Sequence, residues 1–482
     1  MALNICFIAS EVAPLAKTGG LADVAGALPR YLHAQGHDIR LFMPLYSQVG
    51  ASGLDTTPVA SAQDVELKLG PHRYTFSIVE ALLPGSQVPI FLVHCPAVFD
   101  RPTIYNGGPD EHLRFLVLQR AALETCQRMG FAPQIVHCND WHTGLVPILL
   151  KSLYAWDRLF ANSRSIMSIH NIGYQGVFGS GTAFDVGGEV SWLLSPSDRA
   201  AGQINWLREG VRHAHRVTTV SPTYATEICT PAGGHGLDIA LRDRADGVVG
   251  ILNGVDYSEW NPETDRYLKY RYSARDLSGK AATKRSLIDW MNLTLPETSP
   301  LIGMVTRLTP QKGIDLLFDS LPEVLTTRDC GLVALGSGEW RYESFFSELQ
   351  RRFPDRVVFH RGYNEELAHL IEAASDMFLM PSMYEPCGLN QMYSLKYGTA
   401  PIVRRTGGLA DSVQMWDGAT RQGTGIVFND YDLPAMRWAL HTALDLFKDK
   451  DAWSQMIQNG MAKDYSWNAQ GREYEALYRS LL

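Results

Sequence analysis

Short apolar runs alternate with amphipathic segments along the first half of the chain. Residues 4–10 form an apolar run that predicts a buried parallel strand. Apolar positions then recur at helical spacing from Leu21 to Leu32, and Gly36 ends this predicted helix. Residues 39–46 form a second apolar run. Together these segments predict a β-α-β unit, which is typical of a doubly wound α/β domain.

The same alternation recurs further along, with a turn-rich interruption between the two halves. Pro, Gly, Asn and Asp concentrate in residues 250–265, where we place the domain junction. Apolar strand patterns restart at residues 301–306. The predicted organisation is an N-terminal domain over residues 1–250, a C-terminal domain over 251–454, and a helical tail over 455–482 that packs back on the first domain.

Composition narrows the class of protein. A length of 482 residues is too great for one core, and a net charge of −8 disfavours a general nucleic-acid surface. The 7 Cys show no C-x-x-C spacing, which favours reduced thiols and disfavours a structural zinc site. The N-terminus is interpreted as a first strand and not as a signal peptide. No apolar run approaches the roughly 18 residues of a membrane span, so we expect a soluble cytoplasmic protein without membrane partners.

One hexapeptide, TGGLAD, occurs twice, at Thr18 to Asp23 and at Thr406 to Asp411. Each copy follows a basic residue and lies at a predicted strand-to-helix turn. A glycine pair at such a turn lets the backbone approach a ligand closely, and the following helix directs free amides at it. The two copies therefore predict two similar α/β halves that face one cleft.

In the second half, polar residues follow predicted strands, where open α/β sheets bind ligands. Arg307 and Lys312 lie in one strand-to-helix loop and would suit a diphosphate, although a solvated surface pair is an equal alternative. Glu385 precedes Gly388, where a helix begins, and a carboxylate there could meet a sugar hydroxyl or a developing positive charge. Cys387 has no adjacent base in the sequence, which disfavours a nucleophile.

In the first half, two segments that end predicted strands carry polar and aromatic residues. Such residues suit a carbohydrate, because aromatic rings stack on its C–H faces and its hydroxyls need polar partners. The two aromatic residues among them could equally be core residues. The two histidines have no third ligand at suitable spacing, so we expect no metal. The residues concerned are Asp140, Trp141, His142, His170, Asn171 and Tyr174.

Several segments, which follow one another in order from residue 4 to about residue 467, resemble those of bacterial glycogen synthase and plant starch synthase. The combination of the KTGGLAD block with the EPCGL–TGGLAD block is highly specific. The matching segments are KTGGLADVAGALP, HCNDWHTGL, IHNIGYQG, VSPTYA, ILNGVDYSEWNP, RLTPQKGIDL and PSMYEPCGLNQMYSLKYGTAPIVRRTGGLADSV. The resemblance implies an α/β protein of the GT-B architecture, with two Rossmann-like doubly wound domains facing a deep cleft.

The resemblance also implies a reaction: retaining transfer of glucose from ADP-glucose to the non-reducing 4-hydroxyl of an α-1,4-glucan such as glycogen, with release of ADP. No metal and no cofactor would be required. Arg307 and Lys312 would neutralise the leaving diphosphate, and the backbone amides of Gly388 and Leu389 would bind it. Two residues of the first domain would complete this phosphate site: Lys17 and Gly20.

The matching motifs assign further residues to the sugars and the base. Glu385 would contact the donor glucose. His170 would hold the glucose 6-hydroxyl or support the reacting carbon through its carbonyl, while Asp140 and Asn171 would position sugar and acceptor. The ring of Tyr363 would stack on the adenine.

Three further residues complete the expected substrate-binding set: Asp23, Cys387 and Asn390. Asn390 stands where many family members carry Thr, so one side-chain contact to phosphate would differ. Three alternatives stay open at this point: a GT-B transferase that uses UDP-glucose, a catalytically inactive glucan-binding protein, and a nicotinamide oxidoreductase. The last lacks support, because no G-x-G-x-x-G follows the first strand.

Overall fold

The computed structural model describes residues 2–187, 190 and 192–482. The chain forms two compact units. Unit 1 runs to Gly254 and resumes over Trp467–Leu482, whereas unit 2 comprises Val255–Ser466. None of the helices within the described ranges is both long and apolar enough to cross a membrane.

Unit 1 is built on a sheet whose central strands are parallel and whose edge is antiparallel. The strand Asn4–Ile8 lies near the centre and is buried on both faces after its first residue, as its apolar run predicts. A hairpin of Val65–Leu69 and His72–Leu82 extends the edge. In spatial order the strands are Val248–Gly250, Arg216–Thr219, Arg164–Ile169, Ile135–Asn139, Asn4–Ile8, Asp38–Pro44, Pro89–His94, His72–Leu82 and Thr57–Pro58.

Helices cover the unit 1 sheet, and a separate antiparallel pair joins Val177–Gly179 to Gln203–Asn205. The α-helices are Gly20–Ala34, Ser47–Gly50, Pro96–Phe99, Glu111–Met129, Val146–Lys151, Ala183–Val186, Pro196–Ala200, Trp206–His213, Pro222–Glu227, Asp238–Arg242 and Trp467–Ser480. The 3₁₀ turns are Ala60–Ala62, Trp141–Thr143, Arg158–Phe160 and Ser180–Thr182.

Unit 2 is a parallel sheet with strand order 3-2-1-4-5-6, the doubly wound order of a Rossmann-like domain. In spatial order its strands are Val357–Arg361, Gly331–Gly338, Leu301–Leu308, Met377–Met380, Ala400–Arg404 and Ile426–Phe428. Its α-helices are Ser278–Trp290, Leu317–Thr327, Trp340–Arg352, Glu365–Ala374, Asn390–Lys396, Gly407–Ser412, Leu433–Leu446 and Lys450–Met461, with 3₁₀ turns at Pro310–Lys312 and Ile314–Leu316.

The C-terminal helix Trp467–Ser480 belongs to unit 1, and its start differs from the tail boundary placed at residue 455. The preceding helix, Lys450–Met461, packs on unit 2, where Met456 and Ile457 join the core. On unit 1, the Tyr478 hydroxyl lies 2.5 Å from Nδ1 of the buried His137, and Gly471 packs against the ring of Tyr31. The helices Lys450–Met461 and Trp467–Ser480 both have an apolar face. The sequence pattern does not show which core each face packs against, so the predicted tail boundary falls inside the first of the two helices.

Gly471→Ala should destabilise unit 1. A methyl group at this position would overlap the Tyr31 ring, so the helix Trp467–Ser480 must shift away from Gly20–Ala34. We expect a loss of about 1–3 kcal/mol, opposite in sign to the usual benefit of Ala in a helix. Chemical denaturation measures the loss. The exposed neighbour Glu473→Ala is the control, and equal stability of Gly471→Ala and the parent protein would contradict the prediction.

Candidate active site

Unit 2 has a pocket of about 180 Å³ at the point where its strand order reverses. The adjacent strands Leu301–Leu308 and Met377–Met380 are connected in opposite directions, and the loops that leave their carboxyl ends separate. Open α/β sheets bind ligands in this crevice. The lining residues are Met304–Arg307, Lys312, Leu379–Ser382 and Gly388–Asn390.

A buried ion pair borders this pocket. The ammonium Nζ of Lys312 lies 2.5 Å from Oε2 of Glu385, and the Ser382 hydroxyl donates to the same oxygen at 3.1 Å. Glu385 is only 5% exposed, so its ionised carboxylate depends on these donors. Arg307 is exposed at the end of its strand and lines the same pocket. The structure thus places Arg307 and Lys312 in one pocket, with Glu385 in contact with Lys312, and their roles in the reaction stay a prediction.

The second TGGLAD copy supports the Glu385 loop. Side chains at Gly407 and Gly408 would overlap the carbonyl oxygens of Glu385 and Cys387, respectively. The amide of Gly408 donates to the Glu385 carbonyl at 3.1 Å. At this copy the glycine pair makes room for the protein's own backbone, and its approach to a ligand stays a prediction.

The residues after Glu385 form the start of a short helix. Gly388 has φ of 71°, and a side chain there would approach Oε1 of Gln391 to 2.5 Å. Leu389 precedes the helix Asn390–Lys396. The Asn390 side chain donates to the Val305 carbonyl at 2.7 Å, which ties the helix to the neighbouring strand. Cys387 is buried, and its carbonyl accepts from Gln391 at 3.0 Å.

Tyr363 lies on the surface of unit 2 just beyond the strand Val357–Arg361. Its side chain is 67% exposed, and its hydroxyl donates to Glu365. It is not one of the pocket-lining residues in the part of the chain that the structure describes. An open ring beside the strand ends is compatible with stacking on a base, which stays a prediction.

In unit 1, Asp140 and His170 are held together at the end of the strand Ile135–Asn139. Oδ1 of Asp140 accepts from the His170 amide at 2.7 Å, and Asp140 has a positive φ of 54°. Burial raises the pKa of Asp140 to about 7, against the lowering effect of amide donors from His170 and Asn171. Burial also lowers the pKa of His170 to about 3, so its ring is neutral at pH 7.

Asn139, which the sequence analysis did not single out, fixes the tautomer of His170. Its amide nitrogen donates to the Ile8 carbonyl at 3.0 Å, so its Oδ1, 2.9 Å from His170 Nε2, must accept a hydrogen bond from the Nε2–H group of the ring. Nδ1 of His170 is then an acceptor, and it has no hydrogen-bond partner within the described residues. The position of Asn139, one residue before Asp140 at a strand end, was the available sequence signal.

The remaining predicted residues of this segment have contrasting environments. Trp141 is buried and packs on the rings of His142 and Phe115, so it is a core aromatic and not a stacking surface. Tyr174 is 57% exposed. Asn171 accepts from the amide two residues further on at 2.9 Å, which shapes its own turn.

A carboxylate that the sequence analysis missed, Glu11, binds the start of the first TGGLAD copy. Glu11 accepts from the amides of Thr18 at 2.5 Å and Gly19 at 3.2 Å, and from the Tyr105 hydroxyl at 2.5 Å. Side chains at Gly19 and Gly20 would meet no atom within 4 Å, so this copy faces open space in unit 1. The two copies therefore have different structural environments, although their sequences are identical.

Beside this turn, two residues that were each predicted to bind substrate, Lys17 and Asp23, form an ion pair of 2.7 Å. The Lys17 side chain is half exposed. A cation tethered in this way is held near the glycine amides without being buried, where it can meet an incoming anion.

Comparison with known proteins defines the class. Residues 4–243 match the family model of the starch synthase catalytic domain, and residues 291–461 match glycosyl transferases group 1. The catalytic domain of starch synthase IV from Arabidopsis thaliana, solved with ADP and acarbose, has a TM-score of 0.92 and 35% identity, covering 100% of this chain and 99% of that one. Sucrose-phosphate synthase from Thermosynechococcus elongatus, at 18% identity and TM-score 0.61, shares the fold. The predicted GT-B class with two Rossmann-like domains is confirmed.

Full-length relatives define the family. A glycogen synthase of Anaeromyxobacter sp. (strain Fw109-5) is 46% identical over 99% of both chains. A glycogen synthase of Koribacter versatilis is 43% identical over 99% of this chain and 98% of its own. The chain belongs to the glycogen synthase and starch synthase family of glycosyltransferases. Its enzymatic function is that of a glycogen synthase, as the sequence motifs predicted.

Replacing Asp140 with Asn should change how stability depends on pH. A carboxyl whose pKa is about 7 when folded and about 3.9 when unfolded retains a proton that the unfolded chain loses between these values. The parent protein therefore loses stability relative to Asp140→Asn as pH rises towards 7, by at most about 1.4 kcal/mol per unit.

Melting temperatures of the two proteins between pH 5 and pH 8 test this. Asn has nearly the same shape and can still accept from the His170 amide, so the difference between the two proteins isolates the proton. A difference that stays constant from pH 5 to pH 7 would contradict it.

Asn139→Ala should let His170 exchange between its two neutral tautomers. Selective ¹⁵N labelling of histidine reports the proton position directly, and the parent protein should show Nε2–H alone for His170. Loss of one positioning hydrogen bond should lower glucosyl transfer about 10-fold. Asn4→Ala, which removes another side-chain bond to a carbonyl in unit 1, is the control. An unchanged His170 spectrum would refute the positioning role.

Proposed function

We propose that the enzyme transfers glucose from ADP-glucose to the non-reducing 4-hydroxyl of an α-1,4-glucan, with retention and release of ADP. The observation that carries this is the Lys312–Glu385 pair beside Arg307 at the switch-point pocket of unit 2. Support also comes from the Arabidopsis relative, which was solved with ADP and with acarbose, an oligosaccharide analogue.

Unit 2 supplies the diphosphate-binding groups in this proposal. Arg307 and Lys312 line the pocket as side-chain cations, and the turn of Gly388 and Leu389 offers backbone amides to the phosphates. Charge-assisted bonds of this kind stabilise the negative charge that develops on the leaving diphosphate. The exposed ring of Tyr363 is assigned to the adenine.

Unit 1 supplies groups for the sugars. His170 is a neutral ring whose Nδ1 accepts, so it suits a hydroxyl donor such as the glucose 6-hydroxyl. Asp140 and Asn171 are assigned to positioning sugar and acceptor. Lys17 and Gly20 are assigned to phosphate, and Asp23 to holding Lys17.

The proposed transfer proceeds by attack on the same face that the diphosphate leaves. The bond from glucose C1 to the phosphate oxygen breaks, a bond from C1 to the acceptor O4 forms, and the O4 proton passes to the leaving phosphate. Glu385 stabilises the positive charge on the sugar. Its ion pair with Lys312 makes it a weak nucleophile, and the described residues that line the pocket include no carboxylate that could support a double displacement.

We propose further that the reaction needs no metal or cofactor, because Arg307 and Lys312 provide the positive charge that a divalent ion provides in other phosphate-transfer sites. The nearest competing function is the same transfer from UDP-glucose. The exposed setting of Tyr363 leaves room for either base, so the donor is the first point to test.

Release of nucleoside diphosphate from ADP-glucose and from UDP-glucose, with glycogen and a chelator present, tests donor, acceptor and metal independence together. We expect glycogen-dependent release of ADP that the chelator does not reduce. Faster release of UDP would overturn the donor assignment. Loss of activity with chelator would overturn metal independence, and no release from either donor would overturn the transfer itself.

Glu385→Gln should lower kcat at least about 100-fold, because it removes the charge that meets the transition state and leaves Lys312 without its carboxylate. Ser382→Ala is the matched control, since it removes one hydrogen bond to the same oxygen and leaves the ion pair. Initial rates and melting curves measure both variants. A kcat loss no greater than that of Ser382→Ala would make Glu385 a structural residue.

A further inference from the structure

Three potential metal ligands meet on unit 2 outside the switch-point pocket. Glu365 and His369 are four residues apart on the helix Glu365–Ala374, so they share one face, and Glu259 approaches from the turn-rich segment before the sheet. One ligand atom from each residue lies within 4.8 Å of the others.

The imidazole of His369 is rigidly held. It is 1% exposed, its ring stacks on Trp260 at 3.7 Å, and its Nδ1 lies 2.8 Å from Oδ2 of Asp265. The Tyr397 hydroxyl donates to the same oxygen of Asp265 at 2.5 Å. A carboxylate that accepts from Nδ1 is the usual outer partner of a metal-binding histidine, because it orients the ring and directs Nε2 at the ion.

Nε2 of His369 is buried and has no hydrogen-bond partner in the described part of the chain. Its nearest carboxylate oxygen, Oε1 of Glu365, is 3.5 Å away, which is long for a hydrogen bond. Two ligands on a tetrahedral zinc at about 2.1 Å are themselves about 3.4 Å apart. The separation therefore matches shared ligation of one ion better than a direct contact.

The local charge favours a cation. Glu259, Glu365 and Asp265 contribute three carboxylates. Arg266 acts on both glutamates. Against the lowering effect of burial, the contacts with Asp265 and Glu365 raise the pKa of His369 to about 9, so an ion would displace a proton from this ring. Arg266 is fully exposed, so it can move aside. Glu259 and Glu365 are also accessible enough to adjust by the small distances that ligation requires.

We propose that Glu259, Glu365 and His369 form a binding site for a divalent ion of the zinc class, with Asp265 as the outer partner of His369 and water in the remaining positions. One imidazole and two carboxylates suit such a borderline ion better than the hard ion Mg²⁺, which prefers oxygen ligands. The site lies outside the pocket-lining residues, although Glu365 also accepts a hydrogen bond from Tyr363, the residue assigned to the adenine.

Zinc binding to untagged, chelator-treated protein tests the site. Isothermal titration with ZnCl₂ should show one tight equivalent in the parent protein. Glu259→Gln and Glu365→Gln should each weaken it at least about 10-fold. Both changes are at accessible side chains, so circular dichroism should report folded variants. Titration with CoCl₂ adds a visible absorption band if a nitrogen and two oxygens bind the ion together.

Glu366→Gln is the matched control, because Glu366 is the exposed neighbour of Glu365 on the same helix. It should bind zinc as the parent protein does. No zinc binding by the parent protein would overturn the proposal and leave an ion-paired histidine. Equal affinity in all four proteins would also overturn it, since the zinc would then bind elsewhere. These outcomes are independent of the transfer assay.

Discussion

A buried negative charge on Glu385 is the constraint around which the proposed donor site is built. A carboxylate removed from water is costly unless donors replace its hydration, and the cost falls when a cation is in contact. Lys312 and the Ser382 hydroxyl supply both. The same contact limits the chemistry, because pairing with Lys312 makes the Glu385 carboxylate a weaker nucleophile. The ion pair thus stabilises the buried carboxylate and agrees with the same-face transfer that we propose.

Close backbone approach is what allows that pair to form. A side chain at Gly313 would overlap the Pro381 carbonyl, so the loop that carries Lys312 reaches the end of the neighbouring strand only with glycine there. Gly407 and Gly408 impose the same condition on the Glu385 loop from the opposite side. These glycines therefore affect the site indirectly. Because they have no side chains, the backbones of three loops can approach one another closely.

Much of the fold and part of the site could be predicted from sequence because the relevant signals are local. Apolar runs gave the parallel strands, and polar residues at their ends indicated Arg307, Lys312 and Asp140. Contacts between distant segments left no such signal. Neither the core met by the helix Lys450–Met461 nor the hydrogen bond between His170 and Asn139 could be predicted from spacing, since each depends on a partner many residues away. The identical sequences of the two TGGLAD copies also predicted identical environments, whereas the glycines of the two copies have different neighbours.

The proposed site residues of unit 2 are charged, whereas two of those in unit 1 are neutral or readily neutralised. Unit 2 presents fixed charges in Arg307, Lys312 and Glu385, which suit a reaction that separates charge between a diphosphate and a sugar. Unit 1 presents His170, a ring kept neutral by burial, and Asp140, a carboxyl whose pKa is raised to about 7 by the same cause. Neutral or readily neutralised groups can form hydrogen bonds with sugar hydroxyls without attracting or repelling the charged diphosphate. In the proposed assignment, burial keeps His170 neutral and makes Asp140 readily neutralised, and both are assigned to the sugars, whereas the accessible cations Arg307 and Lys17 are assigned to phosphate.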